Sequence, residues 1–123
     1  MCGIVGLFAK KENISANLGV HLSKMLESMS DRGPDSAGLA IYGKPLASKT
    51  KITVQSRSPK HDFQKLKKFL SAKKEISFSL KIHSTHAVIK LDVKQKDQVT
   101  NLINDSFRNL RILSVGKKME IYK

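Results

Sequence analysis

Residues 76–82 read Ile76-Ser77-Phe78-Ser79-Leu80-Lys81-Ile82, apolar and polar in strict alternation. A period of two belongs to a strand with one face in a core and the other in water, because successive side chains point to opposite faces of a sheet. Beyond it, His83 and His86 flank a Ser84-Thr85 turn, and Ala87, Ile89 and Leu91 resume the alternation as a second strand. Upstream, Ser58-Pro59 opens a segment with Phe63, Leu66, Phe69 and Leu70 at helical spacing. Proline is tolerated there because the first helical turn does not need its N–H. Downstream, Val99, Leu102, Ile103 and Phe107 outline a second helix. At the two outer ends, Ile52 and Val54 alternate with polar residues over Lys49 to Gln55, and Leu110 to Val115 forms a last strand.

The order is βαββαβ, the split βαβ arrangement of ferredoxin-like domains. An α+β unit is therefore expected over 47–116, with 1–46 before it and 117–123 after it. In the first segment, Gly3-Ile4-Val5-Gly6-Leu7-Phe8 is an apolar run of β type that would bury the terminus at a sheet end. From Asn17 to Ser30, the spacing of Leu18, His21, Leu22, Met25, Leu26 and Met29 predicts one amphipathic helix, in which the methionines are core filling. Gly33-Pro34 ends it in a tight polar loop before a strand at Leu39 to Tyr42.

Composition bounds the function. A hydrophobic content of 40% against 27% charged residues is too apolar for a disordered chain. No apolar run approaches the roughly 20 residues of a membrane span, and the first residues lack the basic leader and cleavage site of a signal peptide. A cytoplasmic protein is expected. The net charge of +13 comes from lysine far more than arginine, 19 residues against 4. Lysine is a point charge suited to phosphate or to solubility, whereas base reading favours the arginine fork. The lysines occur singly or in pairs, which suits either a solvated surface or an anion-binding face.

The single cysteine, Cys2, excludes an intrachain disulfide and any multi-thiolate metal site. Its position gives it chemistry. With Met1 removed, Cys2 carries a thiol and a free α-amine on one residue, and an amine of pKa about 8 takes up a thiol proton near neutrality. The pair His83 and His86 has no thiolate or carboxylate cluster beside it and is read as hairpin residues, and His21 and His61 have no evident partner. No metal or cofactor is expected.

Cys2-Gly3-Ile4-Val5-Gly6, then a helix, then Asp31-Arg32-Gly33-Pro34-Asp35-Ser36-Ala37-Gly38 and an apolar strand resembles the opening of class II glutamine amidotransferases, which are N-terminal-nucleophile hydrolases. More narrowly, the Asp31–Gly38 stretch and Ser114 to Lys123 resemble the amidotransferase-like subunit of multi-subunit glutamate synthases. The resemblance implies the N-terminal part of an Ntn-hydrolase sheet, interrupted by the ferredoxin-like unit and resumed at 117. It also implies that Cys2 attacks glutamine, that Arg32 lies near Cys2 and positions the N-terminal region, and that ammonia passes to a glutamate-synthase-type partner. Gly33 and Gly38 are expected to be backbone necessities, and Asp35 and Ser36 turn residues.

The family's oxyanion-bearing His-Asn-Gly type segment and its glutamine-gripping arginine segment have no counterpart here. The sequence has no Asn-Gly, and Arg57, Arg108 and Arg111 lie outside any matching motif. Loss of one oxyanion donor costs about 3 to 4 kcal/mol, so the chain is expected to be incomplete and inactive as a glutaminase alone. The rival class is a non-catalytic basic ferredoxin-like module binding RNA or protein. RNA-binding members of that fold stack bases on aromatics of the central strands, and here the strand Ala87 to Leu91 has none and its neighbour only Phe78.

Overall fold

A computed structural model describes residues 3–122 and divides into two compact units, one up to Gly38 and one from Leu39. The first unit is helical. Helix α1 spans Glu12–Ala16, α2 spans Leu18–Glu27, and a 3-10 turn occupies Ser30–Arg32. On α2, Leu18, Leu22, Met25 and Leu26 are half-buried, while His21, read as part of the same stripe, is exposed.

The expected single helix to Ser30 stops at Glu27. The Ser28 hydroxyl donates to the Lys24 carbonyl at 3.0 Å, and Met29 N–H reaches back only to Leu26 at 3.0 Å, tightening the chain into the 3-10 turn. The short α1 was not foreseen. It carries no buried residue and is held by polar contacts, with Asn17 Nδ2 donating to the Asn13 carbonyl at 3.0 Å, so no apolar period announces it. Residues 3–10 carry no strand assignment. An extended run becomes a strand only where a neighbour completes its ladder, and none of the described residues does.

The second unit is built on four antiparallel strands: β2 (Lys49–Ser56), β3 (Phe78–His83), β4 (His86–Asp92) and β5 (Leu110–Gly116), in the order β3-β4-β2-β5. Helix α3 (Pro59–Ser71) follows β2, and α4 (Lys96–Ser106) follows β4. The register sets one face: Ile52 opposes Ile89, Val54 opposes Ala87 and Ile112, Phe78 opposes Leu91, and Leu80 opposes Ile89. On that face, Phe63, Leu66 and Leu70 of α3 and Val99 and Ile103 of α4 are fully buried and share one cluster with Ile52, Val54 and Ile89.

The other face departs from simple alternation. On the edge strand β3, Ser79 and Lys81 face water, but Lys51 and Thr53 of β2 and Val88 of β4 are buried. The cause is a strand not foreseen from the sequence, β6 (Met119–Tyr122). It pairs antiparallel with β1 (Ala40–Tyr42) and lies against β2, β4 and β5. The segments on either side of 49–116 thus meet as a two-stranded ladder, joined also by Gly43 N–H donating to the Lys118 carbonyl at 2.8 Å.

Candidate functional site

In the first unit, the 3-10 turn places Arg32 one turn beyond Met29. Arg32 N–H donates to the Met29 carbonyl at 3.0 Å and Gly33 N–H to that of Ser30 at 3.2 Å. Against this turn lies Gly3. A Cβ built on Gly3 would collide with the Met29 Cε and would sit 3.5 Å from Cβ and 3.9 Å from Cδ of Arg32. The backbone one residue beyond Cys2 therefore rests on the aliphatic stem of Arg32 and the tip of Met29. Cys2 lies outside the described residues.

Gly3, Met29, Gly33 and Asp35 line a cleft of about 460 Å³, together with Ser36 to Gly38. Arg32 and Asp35 are exposed, and Gly33 is half-buried. Gly33 was expected to be required by backbone conformation, but its φ of −153° is open to any residue. A Cβ there would meet nothing within 4 Å. What the missing side chain preserves is space in the cleft. Gly38 likewise avoids the left-handed region, since no described glycine has positive φ.

Of the residues singled out in the sequence, Gly33 and Asp35 line this cleft, and Arg32 does not line it but lies against Gly3, which does. What it missed is in the second unit. Ser56, at the end of β2, donates from its hydroxyl to Oδ2 of Asp62 at 2.5 Å and accepts from Ser58 N–H at 2.8 Å, while His61 Nδ1 lies 3.2 Å from Oδ1. Asp62 is buried. The Ser56 hydrogen bond holds its carboxyl below the ordinary carboxylate range, burial opposes this, and His61 and Lys65 add to the lowering. Nothing in the motif reading pointed to this network, because its members have meaning only once β2 and α3 meet.

The chain is 43% identical over all of its 123 residues to the glutamine amidotransferase-like protein GlxB of Rhizobium meliloti, of which it covers 40%. Over 43 residues, 35% of the chain, it is 46% identical to a putative glutamine amidotransferase of Methanothermobacter thermautotrophicus, covering 14% of that protein. The chain spans well under half the length of these curated relatives. No family model matches it, and no solved structure does. The two relatives support a glutamine amidotransferase family for the chain. No helix among the described residues is long and apolar enough to cross a membrane.

Proposed function

We propose that the chain is a type 2 glutamine amidotransferase polypeptide in which Cys2, freed of Met1, is the nucleophile. The observation that carries the reading is the packing of Gly3 on Arg32 at a cleft lined by Gly33 and Asp35. Gly3 of the first motif and the loop 31–38 of the second are neighbours in the same small unit. A guanidinium near Cys2 favours the thiolate by Coulomb attraction.

In the proposed reaction the Cys2 thiol gives its proton to the Cys2 α-amine, and the thiolate attacks the carboxamide carbon of glutamine. The resulting tetrahedral oxyanion collapses, the C–N bond breaks, and ammonia leaves with the proton that the amine had held. Water then cleaves the thioester to glutamate and restores the thiol. Arg32 positions the N-terminal segment, and Gly33 leaves room for the substrate. The oxyanion donors and the grip on the glutamine carboxylate have to come from residues beyond these 123. The acceptor is a glutamate-synthase-type subunit, and the chain is an α+β segment of an Ntn-hydrolase sheet with a ferredoxin-like insert.

Two measurements test this. Intact mass of the native protein is expected to lack Met1, and retention of Met1 in every molecule would sink the mechanism, since the base would be acylated. Labelling by a glutamine-mimicking electrophile is expected to exceed that of free cysteine in the presence of the synthase partner, and to vanish in Cys2→Ser. A wild-type rate equal to free cysteine with and without the partner would remove the catalytic assignment.

A further inference from the structure

The second unit holds an open cleft of about 600 Å³, within the roughly 300 to 1,000 Å³ of small-molecule sites. Its walls follow from the register. Ser56 of β2 opposes Leu110 of β5, and Gln55 opposes Arg111. Arg57, just past the end of β2, and Arg108, just before β5, therefore emerge at the same end of the sheet as Arg111. All three line the cleft, and no lysine does. In a chain with 19 lysines and 4 arginines, a cleft that gathers three arginines and excludes lysine is selecting the guanidinium fork, not positive charge in general. That fork matches the geometry of phosphate and carboxylate oxygens in pairs.

Among the described residues none of the three guanidiniums is seen in an ion pair. The cleft has one carboxylate of its own, Asp62. Both its oxygens are engaged, by Ser56 and His61, and Ser56 in turn fixes the N–H of Ser58. Asp62 thus braces the turn that carries Arg57, and its ion pair is with His61. The amide of Asn109 and the hydroxyl of Ser58 complete the polar lining.

We propose that this cleft is a binding site for a phosphorylated small molecule, whose phosphate is held by the forks of Arg57, Arg108 and Arg111. The assignment does not rest on the Cys2 chemistry.

The test is calorimetric titration of the full chain with inorganic pyrophosphate at low salt, repeated with Arg57→Lys, Arg108→Lys and Arg111→Lys. Each variant keeps its charge and loses its fork, and each position is exposed, so folding is retained and is checked by thermal unfolding. Saturable one-to-one binding that weakens about tenfold or more in at least two of the lysine variants, and is unchanged in Lys24→Gln, is the expected result. Four outcomes overturn the proposal. They are no saturable binding of pyrophosphate, equal weakening by Lys24→Gln, full affinity in all three lysine variants, and tighter binding of citrate or of single-stranded RNA than of pyrophosphate.

Discussion

Ser84 is the one described non-glycine residue with positive φ, at 55°. It is the first residue of the two-residue turn between β3 and β4, where the twist of the strands favours a left-handed residue and glycine is the usual occupant. A serine Cβ there is strained. Ser84→Gly is expected to stabilise the protein by up to about 1 kcal/mol, and thermal or urea unfolding reads it. A loss of stability would mean that the Ser84 side chain contributes more than its backbone costs. The turn itself was legible from His83-Ser84-Thr85-His86, but its strain was not, because dihedral sign is not written in residue type unless glycine marks it.

Asp62 gives a prediction in pH. Its folded-state pKa lies below that of the unfolded chain, first because of the Ser56 hydrogen bond. The stabilisation is therefore present above the unfolded value of about 4 and is lost as pH falls through the folded one. In Asp62→Asn that loss is expected to be absent, so the denaturation midpoints of wild type and variant converge as the solution is acidified below about pH 4. Asp62→Ala leaves the buried Ser56 hydroxyl without its acceptor and is expected to cost about 1 to 3 kcal/mol at neutral pH. Midpoints that stay a constant distance apart from pH 7 to pH 2 would refute the assignment.

At the scale of elements, legibility followed apolar periodicity. The run 76–82 yields β3, Ser58-Pro59 marks the start of α3, and Leu110 begins β5, each within about two residues of the observed end. Elements without a period were lost, namely α1, held by asparagine contacts, and β6, whose burial partner is distant in sequence. With β6 unforeseen, the alternation of β2 gave no sign that its polar residues Lys51 and Thr53 are buried. That face carries a consequence. Among the described residues the buried hydroxyl of Thr53 has no hydrogen-bond partner, nor has that of Ser114, its neighbour across the ladder. A buried hydroxyl without a partner forfeits its hydration. Thr53→Val, close to isosteric, is expected to be neutral or to stabilise by about 1 kcal/mol, whereas Leu66→Ala in the opposite core is expected to cost about 2 to 5 kcal/mol. A destabilised Thr53→Val would show that its hydroxyl is satisfied.

At the scale of the molecule, a net charge of +13 sets a positive potential around every group, and this potential competes with Arg32 as the source of the reactivity proposed for Cys2. The motif could be read from sequence because the chemistry resides in residue types at fixed spacing, whereas the field resides in their sum. Ionic strength separates the two. The screening length falls from about 30 Å at 0.01 M salt to about 3 Å at 1 M, so the diffuse field of the scattered lysines is removed while a charge in contact with its target is attenuated much less. Raising the salt from about 0.02 to about 0.5 M is therefore expected to slow Cys2 labelling by an anionic electrophile about twofold to fivefold in wild type and in Arg32→Ala alike. The ratio between them is expected to persist. A positioning residue in contact with the N-terminal backbone, as the packing of Gly3 on the Arg32 stem requires, acts at short range, so the difference it makes is insensitive to salt. If the ratio instead collapses to one at high salt, Arg32 acts as one more member of the basic surface, and the positioning role proposed for it has to be abandoned.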